Sequence, residues 1–122
     1  MKQLKKLYKI PTRVKYGALL MDEVCPDWYK RVDTNILRMS SGQYCILGQT
    51  SACILGDEEA GGQYFNAINK LESKGVISRE EFNGEYAANF YGFNESHGSG
   101  TVEWSELKEA WIKEINKRRK KK

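Results

Sequence analysis

The stretch Tyr16-Gly17-Ala18-Leu19-Leu20-Met21-Asp22-Glu23-Val24 decides the fold class. Its apolar side chains Tyr16, Leu19, Leu20 and Val24 recur at the i, i+3, i+4 and i+8 spacing of one helical face, which predicts a helix over about 14–24. Pro26 stops that helix. Pro26-Asp27-Trp28-Tyr29 then reads as a new start, because Pro is tolerated at a first helical position and an acid suits the first turn. A second short helix there would place Trp28 and Val32 together.

The same periodicity returns at the C-terminal end. From Val102 to Asn116, Trp104, Leu107, Trp111 and Ile115 recur at helical offsets, with Glu109/Lys113 and Glu114/Arg118 as favourable i,i+4 pairs. Thr101 can cap this helix, which is expected to carry the terminal basic run outward, its cations at the end the macrodipole favours. Between the two helices, Asp57-Glu58-Glu59 offers an N-cap and an acidic first turn. Tyr64, Phe65, Ile68 and Leu71 then form a stripe ending at Lys74-Gly75. Ser78-Arg79-Glu80-Glu81 matches a capping box, and Phe82, Tyr86 and Phe90 follow at four-residue spacing, which predicts a further helix ending before Gly92. Asp33-Thr34-Asn35 and Ser40-Ser41-Gly42 read as turns flanking a return of Ile36-Leu37 to the core, and Asn94 to Gly100 reads as an exposed loop. One segment stays open. Cys45-Ile46-Leu47-Gly48 is repeated as Cys53-Ile54-Leu55-Gly56, and the pair could form a β-hairpin or belong to a helix capped by Ser41 and running through Gln49. The helix is preferred. The expected fold is therefore mainly α, a compact bundle of about five helices with a short hairpin at 43–55 as the alternative.

A chain of 122 residues fits one domain, and 40% hydrophobic content with three Trp, seven Tyr and four Phe excludes global disorder. No run approaches the roughly 20 apolar residues of a membrane span, and the N-terminus lacks the apolar block of a signal peptide, so a cytoplasmic protein is expected. Cys25, Cys45 and Cys53 are odd in number and widely spaced, which fits free thiols in a reducing compartment. The net charge of +4 hides an asymmetry. Lys2, Lys5, Lys6 and Lys9 make the first nine residues basic, and seven cations from Lys113 onward face a single Glu114. Residues 10–112 carry nine basic and fifteen acidic side chains, a net of −6. The expected organisation is a basic N-terminal arm over 1–12, a globular domain over 13–116 and a basic tail over 117–122.

No residue pattern specifies a reaction. Cys25, Cys45, Cys53 and His97 are metal-ligand types, but no two stand two to four residues apart, so the thiols are expected to be small buried hydrophobes. His97 is the one histidine, set in a glycine-rich loop, and every acid is explained by capping or solvation. Gly48-Gln49 and Gly61-Gly62 belong to no phosphate-gripping motif. No catalytic residue, metal or cofactor is expected. The most specific electrostatic feature is Lys117, Arg118, Arg119, Lys120, Lys121 and Lys122, six consecutive cations suited to a polyanion such as DNA or RNA. An acidic membrane surface fits less well, since no apolar face is free to insert beside the run, and no membrane partner is expected. Alternatively the acidic body docks into a basic groove on another protein, with Trp28, Trp104, Trp111 and Tyr91-Gly92-Phe93 as possible anchors.

Gly17-Ala18-Leu19-Leu20-Met21-Asp22-Glu23, Pro26-Asp27-Trp28, Ser40-Ser41, Cys45-Ile46-Leu47-Gly48-Gln49, Tyr91-Gly92-Phe93 and Trp104 with Leu107 and Trp111 together resemble a family of small proteins from bacteriophages and mobile elements of Gram-positive bacteria. The resemblance covers about residues 14–112. It implies a phage setting within a bacterial host cell and little chemistry. On that setting, the expected function is a non-catalytic phage or prophage accessory protein that binds and modulates a host protein or nucleoprotein complex, including CRISPR-type host defence. The basic ends would assist contact with nucleic acid. Cys45, Gln49, Tyr91 and Phe93 are candidate partner-binding residues. The alternatives are a direct nucleic-acid-binding protein, and a ligand-sequestering protein or small hydrolase built around Cys45 and Gln49.

Overall fold

The computed structural model describes residues 9–74, 80–82, 85–86, 91–93 and 101–120, with the backbone alone for 80–82, 85–86 and 101–103. The chain is mainly helical: α1 (Ile10–Val24), α2 (Trp28–Arg31), α3 (Ile46–Leu55), α4 (Tyr64–Ser73) and α5 (Thr101–Lys120), with a two-stranded antiparallel pair, β1 (Glu80–Phe82) and β2 (Glu85–Tyr86). α1 packs on α5, α3 packs on α4, and α2 touches both α3 and α5. No helix among the described residues is long and apolar enough to cross a membrane.

α1 begins earlier than its apolar spacing indicates. Pro11 sits in its first turn, where a missing N–H costs nothing, and Ile10 is buried, so residues 10–12 belong to the globule and not to an arm. Its buried face also differs. Ile10, Val14, Gly17, Ala18 and Met21 face the core, while Leu19 is 50% exposed and Tyr16 40%. The reason lies in Gly17. A Cβ there would collide with the Tyr91 carbonyl oxygen and come within 3.0 Å of the Trp111 ring, so the missing side chain is what lets α5 and the 91–93 turn approach α1 closely. Trp111 fills the notch. It stacks on Phe93 at 5.6 Å between ring centroids, meets Trp28 edge-on at 5.5 Å and donates its indole N–H to the Gly92 carbonyl at 2.8 Å. Gly92 itself has φ +74, a conformation that favours glycine.

The open segment is helical. α3 starts at Cys45, whose sulfur accepts the Gly48 N–H at 3.4 Å, and not at Ser41, whose hydroxyl instead holds the turn by accepting from Gln43 N and Tyr44 N. The repeated tetrapeptide thus has two roles. Gly48 leaves room for the Gly42 and Gln43 carbonyls, whereas Gly56, at φ +72, ends the helix in the left-handed region.

Two sequence expectations are corrected. Asp57, Glu58 and Glu59 form turns after α3, with Asp57 Oδ1 accepting the Glu59 N–H at 3.0 Å, and α4 begins only at Tyr64. Ser51 organises that junction: its hydroxyl lies against the Gly48 and Ala60 carbonyls and accepts from Gln63 N. The helix expected after Ser78 is replaced by the β1–β2 pair. Phe82 and Tyr86 stand four apart in sequence but on the two facing strands, so a step that crosses the pair imitates one helical turn. Asn83-Gly84, the dipeptide that most favours a hairpin, is the discriminating signal. Ser78, Phe90 and the Asn94–Gly100 stretch lie outside the described residues.

Candidate functional site

The terminal cations from Lys117 to Lys120 belong to a helix and not to a detached tail. α5 continues to Lys120, and its last turn folds two arginines back onto the globule. Arg118 donates through Nε and Nη2 to both carboxylate oxygens of Asp22, at 2.9 and 2.8 Å, and through Nη1 to Glu114 Oε1 at 2.8 Å. Its guanidinium lies 5.5 Å from the centroid of Trp28, whose indole N–H donates to the same Asp22 at 2.9 Å. Arg119 donates to the Tyr29 and Val32 carbonyls at 3.0 and 2.7 Å, satisfying acceptors that the short helix α2 leaves unpaired at its end.

These contacts set the electrostatics. Partial burial pushes the Asp22 carboxyl up, but the hydrogen bonds from Arg118 and Trp28, with the Arg118 charge, outweigh it and hold the group below the usual carboxylate range. The Asp22 hydrogen bond raises Arg118 above its ordinary value, against burial and with help from Glu114.

The Arg119 bonds have a further consequence. They hold the end of α2, whose last turn carries Lys30 and Arg31, against the last turn of α5, which carries Lys117 and Lys120. Arg31 is paired with Asp27 at 3.0 Å and Lys117 with Glu114 at 3.5 Å. Lys120 is exposed, and Lys121 and Lys122 lie outside the described residues, as do Lys2, Lys5 and Lys6. Sequence reasoning missed Lys30 and Arg31 because nothing local links them to a helix end some 90 residues away.

The other candidates serve the fold. Cys45 is buried at the start of α3, and burial pushes its thiol up. Gln49 is a clamp: it accepts from Asp33 N at 2.7 Å and donates to the Tyr44 and Asp33 carbonyls at 2.8 and 3.3 Å, pinning residues 33–44 to α3. Phe93 is buried against Trp111, and Tyr91 lies beside Phe93 in the same turn. Cys45 and Gln49 thus act on α3, and Tyr91 and Phe93 at the α1–α5 contact.

The cysteines depart from the expectation of three free thiols. Cys25 and Cys53 form a disulfide, with Cα atoms 6.2 Å apart, and Cys45 alone is free. Asp27 brings a carboxylate oxygen to 3.6 Å from Cys25 Sγ. His97 lies outside the described residues. Comparison with known protein families, with curated proteins and with solved structures found no match.

Proposed function

We propose that this chain is a non-catalytic binding protein that docks on a host protein or nucleoprotein complex and contacts the nucleic-acid backbone through the joined ends of α2 and α5. The observation that supports this reading is the pair of bonds by which Arg119 joins the end of α2 to the end of α5, two helix ends that each carry cations in their last turn. A polyanion is attracted by such a concentration of charge, and binding releases its counterions. The phage setting, and with it a host-defence complex of the CRISPR type as target, rests on the sequence resemblance alone. The acidic remainder of the surface would repel a duplex laid across it, which favours a partner that offers nucleic acid at one edge and protein elsewhere.

Fluorescence anisotropy with a labelled duplex and a labelled single strand, across a salt series, tests the nucleic-acid contact. The expected result is binding that weakens with salt. For the duplex, the log–log slope should fall by about 0.9 for each phosphate that is no longer neutralised when Lys117 and Lys120 become Ala. No binding at low salt, or slopes indifferent to both substitutions, would remove the nucleic-acid part of the reading.

A further inference from the structure

Cys25, Asp27 and Cys53 bring one ligand atom each, two sulfurs and a carboxylate oxygen, within 4.8 Å of one another. They come from different elements. Cys25 and Asp27 flank Pro26 in the α1–α2 turn, which is closed by the Trp28 N–H bonded to the Cys25 carbonyl at 2.8 Å, and Cys53 projects from α3. A tetrahedral zinc ion with bonds of about 2.3 Å to sulfur and about 2.0 Å to oxygen holds its sulfurs about 3.8 Å apart and its sulfur and oxygen about 3.5 Å apart. The 3.6 Å from Cys25 Sγ to the Asp27 carboxylate matches the second separation, while the two sulfurs are bonded to each other and reach the first only after that bond is cut and they part. Cys25 is buried, whereas the Asp27 side chain is 53% exposed, so the set opens to water on the carboxylate side. Arg31 Nε donates to Asp27 Oδ1, the oxygen that faces Cys25 Sγ, and so holds the carboxylate at the sulfurs; a metal would take its free Oδ2 or share Oδ1.

We propose that, once the Cys25–Cys53 disulfide is reduced, these residues form a two-thiolate, one-carboxylate site for a thiophilic divalent cation of the zinc class, with water completing the tetrahedron. A dithiol or phosphine reductant supplies the two electrons that break the sulfur–sulfur bond, and is itself oxidised to a disulfide or a phosphine oxide. The two thiols so formed release their protons as the metal binds. Disulfide and metal are mutually exclusive, because each uses the same two sulfurs. Paired thiolates select against magnesium and calcium, which prefer oxygen. Sequence spacing concealed the set: 28 residues separate the two cysteines, and Asp27 has no recognised place in a zinc motif.

Cobalt(II) titration of the full-length protein, reduced with a phosphine, reads the site directly. The expected outcome is one equivalent bound, with a thiolate-to-cobalt charge-transfer band and the visible bands of tetrahedral cobalt. The signal disappears in Cys53→Ser and in unreduced protein, persists in Cys45→Ser, and needs roughly tenfold or more cobalt in Asp27→Asn. Near-ultraviolet circular dichroism confirms that each variant is folded. Asp27→Asn, at an exposed position, keeps the test valid if a cysteine variant unfolds. Absence of the bands from reduced protein, their survival in folded Cys53→Ser, their loss in folded Cys45→Ser, or no change in cobalt affinity in Asp27→Asn would each overturn the proposal.

Discussion

Replacing Arg118 by Ala should destabilise the protein far more than replacing either neighbouring lysine. The substitution removes two bonds to Asp22, two to Glu114 (its carboxylate and its backbone carbonyl) and a cation–π contact with Trp28. A fully buried ion pair broken on one side costs about 3–5 kcal/mol, and an exposed one about 0–1 kcal/mol. Here the side chains of Arg118 and Asp22 are 16% and 38% exposed, so solvent screens part of the pairing, and the cation–π contact adds about 0.5–1 kcal/mol. The loss is then about 2 kcal/mol, which for a chain of this size lowers Tm by about 6–12 °C. Lys117→Ala and Lys120→Ala should stay within about 0.5 kcal/mol of the parent. Thermal and urea unfolding by far-ultraviolet circular dichroism measures all three. A double-mutant cycle with Asp22→Asn, which keeps an oxygen for the Trp28 N–H, should give a coupling of about 1 kcal/mol. An Arg118→Ala protein as stable as the parent, or zero coupling, would refute the view that α5 is fastened here.

Acid should expose the same pair. The folded Asp22 carboxyl titrates below its unfolded value of about 3.9, so its stabilisation is complete above that pH and is lost as pH falls through the lower folded value. In urea titrations below about pH 4, Asp22→Asn should therefore flatten the acid limb. Gly17→Ala should cost about 1–3 kcal/mol despite the roughly 1 kcal/mol gained in helix propensity, because the new Cβ meets the Tyr91 carbonyl and Trp111; a stabilised variant would contradict the close approach. Gln49→Ala should cost about 1–2 kcal/mol by urea unfolding, because it removes the clamp on residues 33–44, and an unchanged midpoint would show that clamp to be idle.

Legibility in the sequence followed the range of the interaction. Trp104, Leu107, Trp111 and Ile115 announce α5 because a long stripe of large apolar residues has one helical reading, and the last three are buried as that stripe requires. α1 was legible as a helix but not in its facing, since the large side chains point to Tyr16 and Leu19 while the buried line runs through Gly17 and Ala18. Small residues carry no hydrophobic signal, yet they mark where helices come closest. The β1–β2 pair was hidden because the step from Phe82 to Tyr86, which crosses from one strand to the other, has the length of one helical turn. Asp22 with Arg118, Arg119 with α2, and Cys25 with Cys53 were beyond reach, because each joins residues that only the folded chain brings together.

The basic run from Lys117 to Lys122 divides by chemistry. Its two arginines use planar, multiply donating guanidiniums to grip a carboxylate and backbone carbonyls, a task that the point charge of a lysine performs poorly. What remains for an outside partner is ammonium groups, Lys117 and Lys120 being one helical turn apart on the same face of α5. Because Arg118 and Arg119 fasten that turn to α1 and α2, these lysines sit on a fixed helix and not on a random-coil segment. In the nucleic-acid contact proposed above, only side chains would have to be ordered, and the smaller entropy loss would strengthen each phosphate contact. On the proposed contact, the arginines would bear on affinity without touching the ligand: in the same anisotropy assay Arg119→Ala, which frees the helix end, should bind nucleic acid more weakly although every lysine is retained, and unchanged affinity would refute that coupling.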